Sequence, residues 1–264
     1  MNEMQKKKLA EWAQKFHTKE FVAGDPVSFP HRYSRRDDIE ISGFLTAFLS
    51  FGNRAQILKA AEKLDAGMRG SPSEYLRSRR WEKDFAAGDP ACFYRMISRG
   101  KMHDLFRQIF GIFDGCGNLE NAVVAERNRR QEAATTNPDS TTNPPATISP
   151  ATTNPMACLC GVLGVSAQSP QKKLNMFLRW MIRRNSPVDF GIWQSFSPAE
   201  LIIPLDTHVL HVAQQLGLTT SLSYSLSTAK KITAALAEIF PNDPCLGDFA
   251  LFGAGVNGDN KAAQ

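Results

Sequence analysis

The chain lacks any run of 18 or more apolar residues, which removes a membrane-spanning helix from the reading. Its first residues, Met1 to Lys8, are polar and lysine-rich with no apolar stretch behind them, so no signal peptide is expected and the expected compartment is the cytoplasm. Paired CxxC spacing is also missing. The five cysteines, Cys92, Cys116, Cys158, Cys160 and Cys245, are odd in number and come closest together as CxC. Neither a disulfide framework nor a zinc site is expected, and the thiols read as small buried or half-buried groups. Alternation with a period of two residues is absent too. The Asp114-Gly115 and Asn257-Gly258 pairs therefore do not read as hairpin turns.

What is present is material for a core: 264 residues, 42% hydrophobic and 22% charged. The net charge of +5 is compatible with a polyanionic partner, though many proteins with such a balance never meet one. The sharpest break in composition is Gln131 to Pro155, where Thr-Thr-Asn-Pro occurs three times among Ser, Ala and Pro. Such a stretch has too few apolar groups to offset its ordering entropy and reads as a flexible link. The expected organisation is a helical part over 1–130, a low-complexity link over 131–157 and a second helical part over 158–264.

Outside the link, apolar residues recur at helical spacing, and the expected class is all-α, about ten short helices in two packed layers or lobes with a groove between them. Helices are expected at Met4–Phe16, from Asp37 or Asp38 as cap through Leu49, at Arg54–Met68, and at Pro72–Ser78 behind a Ser71-Pro72-Ser73-Glu74 capping box. Others are expected near Cys92–Ser98, Lys101–Phe113 and Leu119–Arg130. In the second half come Lys172–Arg184, a second capping box at Ser197–Glu200, Asp206–Leu216, Thr228–Ile239 capped by Ser227, and a last helix after Asp243-Pro244.

Chemistry concentrates in Lys172 to Met181 and Ile202 to Val209. Leu174, Phe177, Leu178 and Met181 fall at i, i+3, i+4 and i+7 and form one apolar stripe. At about 100° per residue, Lys173 sits beside that stripe with Trp180, while Lys172, Arg179 and Arg183 group on the opposite, solvated face. A desolvated lysine has a lowered pKa and a nucleophilic amine, as Schiff-base chemistry requires; the alternative for Lys173 is a surface cation. Asp206, restrained by Pro204 and opening a helix, is either a cap alone or a cap that also aims a carboxylate into a cleft. His208 is a proton carrier or a packing residue. The arginines of the Arg77, Arg79, Arg80 run follow a phosphate backbone or form a solvated helix end.

Taken together, a helix opened by lysine, the Pro204-Leu205-Asp206-Thr207-His208-Val209 string, the Leu216-Gly217-Leu218 helix end and Asp248–Gly253 resemble the C-terminal half of the helix-hairpin-helix DNA glycosylase superfamily. Asp38–Ile41, Phe51–Arg54 and Leu174–Met181 are similar to words of an uncharacterised bacterial branch of it, nearest the archaeal-type 8-oxoguanine glycosylases. The likeness covers most of residues 20–125 and 158–256. It implies a monomer that excises an oxidised base such as 8-oxoguanine from double-stranded DNA, with AP lyase activity where a lysine attacks C1′ and an aspartate faces the charge on the sugar. The aspartate falls on Asp206 and the lysine on Lys173, with Lys172 as runner-up. Asn53 and Arg54 fall where relatives fill the gap left by the extruded base, and Trp180 and His208 complete the substrate-binding set.

Three departures stand out. The Leu-Pro-Gly-Val-Gly hairpin is replaced by Gly161-Val162-Leu163-Gly164-Val165, a degenerate relative at most. The four-cysteine iron–sulfur loop is absent, so no cofactor is expected. The low-complexity link interrupts the chain just before the matched half. Rival readings are a non-catalytic nucleic-acid-binding protein on the same scaffold and a helical protein–protein adaptor. Joint action of lysine and aspartate requires them within about 10 Å on a common face.

Overall fold

The structure, a computed structural model, describes residues 1–135 and 150–257. The middle of the low-complexity stretch, with two of its three Thr-Thr-Asn-Pro copies in whole or part, and the glycine of Asn257-Gly258 lie outside the described residues. The chain is mostly helical. In order it forms α1 (Glu3–Phe16), α2 (Arg36–Leu49), α3 (Arg54–Met68), α4 (Pro72–Arg77), α5 (Trp81–Asp84), β1 (Cys92–Tyr94), β2 (Ile97–Ser98), α6 (Arg99–Cys116), α7 (Leu119–Thr135), α8 (Pro150–Thr153), α9 (Pro155–Leu163), α10 (Lys172–Ile182), α11 (Thr207–Gln215), α12 (Leu226–Ala237) and α13 (Leu246–Asn257). No described helix is long and apolar enough to cross a membrane. Two compact units result: Gly24–Asn128, and Met1–Ala23 together with Arg129–Gln264.

In the unit Gly24–Asn128, α2 is buried over Asp38–Ala47 without interruption, acids included. Asp38 and Glu40 are 4% and 0% exposed. Neither caps its own helix, whose N-cap is Arg35. Asp38 Oδ1 instead accepts the Ser73 N–H of α4 at 2.7 Å, and Glu40 Oε2 accepts the Leu119 N–H of α7 at 2.9 Å. Orphan amides at a helix start prefer an anion, so one helix caps two others. This corrects the capping box expected at Ser71, whose side chain makes no cap bond. α3 and α4 pack against α2, and Phe44, Leu45, Leu64 and Leu76 are buried; Trp81 is buried too and stacks on Phe106 at 6.1 Å.

The helix expected at Cys92–Ser98 is a two-stranded antiparallel hairpin, in which Tyr94 pairs with Ile97. Its turn is Arg95-Met96, and Arg95 adopts φ +53°. A two-residue turn ordinarily takes Gly or Asn at such a φ, so the sequence carries no turn signal there.

Correction also applies to the ends of the low-complexity link. Gln131–Thr135 complete α7, and the third Thr-Thr-Asn-Pro copy is a helix entry: Asn154 Oδ1 accepts the Ala157 N–H at 2.9 Å with Pro155 at the first helical position. The α12 cap is Ser225 rather than Ser227.

In the other unit, α13 packs against α1 and α11. Its glycines set that approach. A Cβ at Gly253 would lie 2.2 Å from the Phe16 ring of α1, and one at Gly255 would lie 3.1 Å from His208 Cβ of α11. Gly253→Ala is expected to destabilise by about 1–3 kcal/mol through overpacking, and by clearly less in a Phe16→Ala background. Urea unfolding of the two single variants and the double variant checks this, and simple additivity would contradict the contact.

Candidate functional site

α10 carries Arg179, and Arg183 follows one turn on as its C-cap; both are buried, at 5% and 1% exposure. Arg179 Nε lies 3.3 Å from Asp189 Oδ1, and its Nη1 donates to Asp248 Oδ2. Arg183 Nε donates to both oxygens of Asp243 at 2.8 and 3.0 Å, and its Nη1 donates to Asp189 Oδ2. The Phe249 ring lies 4.4 Å and 5.1 Å from the two guanidinium carbons. The basic face of α10 expected in solvent is therefore its buried polar face. Helical periodicity cannot show that three aspartates, from the loop after α10, the turn before α13 and α13 itself, converge on it.

His17, just past α1, closes the network, with Nε2 2.8 Å from Ser186 Oγ and 3.5 Å from Arg183 Nη1. Burial first and the Arg183 charge second lower its pKa to about 4. Asp248 is pushed up to about 6, chiefly by burial; Arg179 and Lys172 oppose the rise and the Asp206 charge adds to it. The network thus senses the charges of the pair beyond it.

From α10 the chain doubles back. Phe190 N–H bonds the Trp180 carbonyl at 2.8 Å and Trp193 N–H the Met181 carbonyl at 2.9 Å. The segment Leu201–Leu205 is buried, with Ile203 N–H on Thr233 Oγ1 at 3.0 Å and the Leu205 carbonyl accepting from the Tyr224 hydroxyl. Asp206 follows as the N-cap of α11, its Oδ1 accepting from Val209 N–H at 2.9 Å. The second carboxylate oxygen faces α10. Asp206 Oδ2 lies 3.8 Å from Lys172 Nζ, and the two side chains are 17% and 29% exposed.

Lys172, the runner-up in the sequence, is thus the lysine in contact with Asp206. Lys173 is half-buried, and burial, then the Lys172 charge, lowers its pKa. Trp180 is fully buried, so it offers no surface to the substrate as the substrate-binding set requires. His208 is exposed on α11, edge-on to Phe252 at 6.4 Å. Asn53 and Arg54 belong to the other unit. Asn53 is exposed and caps α3, and Arg54 lies 3.7 Å from Asp25. Of the arginine run, Arg77 bonds Asp37 and Arg79 bonds Glu82, so both have carboxylate partners within the chain. The degenerate hairpin Gly161–Val165 closes α9: Gly164 takes φ +65°, and Val165 N–H bonds the Cys160 carbonyl at 2.9 Å, a Schellman-type end.

Two residues escaped the sequence reading. Tyr224 sits in a serine-rich loop without any pattern to mark it; burial and the Asp206 charge push its phenol up to about 12. Asp248 enters the sequence reading only as the first residue of the Asp248–Gly253 string, with no sign that it is buried against Arg179. Chemically, the arrangement offers an amine and an oriented carboxylate in contact at a part-buried surface. Among the described residues no group of three His, Cys, Asp or Glu could hold a metal ion.

Two titrations in the network oppose each other. Between about pH 4 and 6.5, His17 is neutral when folded and protonated when unfolded, so its contribution to stability rises with pH. Asp248, protonated when folded up to about pH 6 but ionised when unfolded above 3.8, contributes stability that falls over the same window. His17→Gln should therefore make stability decline from pH 4.5 to 6.5 relative to the parent, measured by urea unfolding at each pH. An unchanged pH profile would contradict the shift.

No curated protein and no solved structure matches the chain. Residues 25–257 match a family described as a protein of unknown function, DUF2400. That match takes in the buried arginine network apart from His17, both lysines and Asp206, and by it the chain belongs to the DUF2400 family.

Proposed function

We propose that the chain is a DNA N-glycosylase with a lysine-dependent AP lyase step, acting on an oxidised base such as 8-oxoguanine in double-stranded DNA. The observation that carries this reading is the 3.8 Å contact between Lys172 Nζ and Asp206 Oδ2, with the aspartate fixed as a helix cap. The resemblance of the surrounding strings to helix-hairpin-helix glycosylases supplies the substrate class. Fold and resemblance alone do not decide function; a lysine and a carboxylate at contact range supply the chemistry.

In this reading the target nucleotide leaves the stack before reaction. The Lys172 amine adds to C1′ while the bond from C1′ to the base breaks, and the electron pair leaves with the base, which takes up a proton. Asp206 faces the positive charge developing on the sugar and accepts a proton released by the new C–N bond's nitrogen. Cleavage of the C1′–O4′ bond, with a proton to O4′, leaves a Schiff base. Loss of a C2′ proton then expels the 3′ phosphate, and water hydrolyses the imine to restore the amine. Lys173 competes for the nucleophile's role through its lowered pKa, but contact with the carboxylate favours Lys172.

Single-turnover assays on duplexes carrying one 8-oxoguanine or one abasic site separate these roles. Lys172→Gln should abolish strand nicking, Lys173→Gln should retain it within about tenfold, and Asp206→Asn should slow base release by about 10²-fold or more at nearly unchanged duplex affinity. Tight duplex binding by the parent chain with no base released from 8-oxoguanine or other lesions would replace the enzyme by a non-catalytic DNA-binding protein. Absence of duplex binding at low salt would favour a protein–protein adaptor.

A further inference from the structure

The hairpin of β1 and β2 projects one side chain that nothing in the fold explains. Met96 at its tip is 73% exposed. A single exposed apolar residue is ordinary, but this one is mounted on a turn that is strained and pinned. Arg95 occupies the left-handed region at φ +53°, an uncommon conformation for a residue with a side chain. The Tyr94 hydroxyl donates to the Phe51 carbonyl at 2.7 Å, and the two rings meet edge-on at 5.2 Å. Lys101 Nζ donates to the Met96 carbonyl at 3.3 Å, and the Cys92 thiol to the Arg95 carbonyl at 3.1 Å. Beneath the turn, Gly52 at φ +98° lies where a Cβ would meet Arg95 Nη1 at 2.3 Å. Phe51 and Gly52 are thus the seat of the hairpin.

Charge at the tip has one sign. Arg95 and Lys101 are exposed, and neither has a carboxylate within 4 Å among the described residues. Asp89 is engaged with Arg99 at 3.0 Å, and Asp104, one turn along α6 from Lys101, lies 3.4 Å from Arg107. An apolar side chain on a rigid mount, flanked by two exposed cations engaged only with the Phe51 ring and the Met96 carbonyl, fits a stacked polyanion: wedges of this kind enter base steps while cations take the adjoining phosphates.

We propose that the hairpin tip is a contact to duplex DNA in which Met96 inserts between base pairs and Arg95 and Lys101 bind the flanking phosphates. The ligand class rests on the DNA reading above. The full chain is titrated into a duplex carrying 2-aminopurine, whose fluorescence rises on unstacking. Met96→Ser should lose most of the rise while affinity falls less than about tenfold, and Met96→Leu should keep it. The Arg95→Gln, Lys101→Gln double variant should weaken binding and reduce the slope of log affinity against log salt by about 2. A Met96→Ser chain with the parent's fluorescence and affinity would overturn the tip alone, since lysine-dependent nicking is scored separately. A parent chain that binds no duplex at low salt would overturn both readings. If Met96→Ser instead alters sedimentation of the DNA-free chain, the tip is a contact between copies and the proposal falls.

Discussion

Two arginine side chains taken out of water fix the geometry of the unit that holds Lys172 and Asp206. A buried guanidinium is tolerable only where carboxylates surround it with good geometry, because desolvation costs several kcal/mol per ion and an unpaired partner costs more than the pair contributes. Asp189 meets both arginines, one with each oxygen, while Asp243 and Asp248 take the remaining donors. These groups come from α10, the loop after it, the turn before α13 and α13 itself, and His17 adds the end of α1. The network forms only when all of these are in place. It acts less as a source of net stability than as a device that admits one rotation of α10.

That rotation decides which lysine meets the aspartate. Lys172 and Arg179 are seven residues apart, close to two full turns, so they share a face separated by about 10 Å along the helix. With Arg179 turned toward Asp189 and Asp248, Lys172 is turned toward Asp206, and Lys173 lies about 100° round the helix. The same Asp248 that anchors Arg179 also feels the charges of Asp206 and Lys172. The anchoring network and the candidate site are thus coupled electrostatically as well as by helix geometry.

A similar device operates in the unit Gly24–Asn128, where Asp38 and Glu40 leave their own helix uncapped and serve the starts of α4 and α7. These long-range uses of charge explain where the sequence is legible. Most helices are readable from apolar spacing, and Asp206 and Asn154 are readable as caps because their partners lie within three residues. The grouping of Lys172, Arg179 and Arg183 on one face follows from the helical angle alone. The burial of the two arginines does not, because Asp243 is 60 residues beyond Arg183 and Asp248 is 69 beyond Arg179. The hairpin is hidden for a different reason: Arg95 stands where a turn ordinarily takes glycine.

In the proposed reaction the register of α10 presents Lys172, rather than its neighbour, to the reacting sugar. The most direct measurement is borohydride reduction of the full-length chain on a duplex with one abasic site, followed by proteolysis and fragmentation mass spectrometry of the Gln171–Met181 region. The sugar–phosphate remnant is expected on the Lys172 side chain. A remnant on Lys173, or a reduced complex with no modified lysine in this helix, would contradict it.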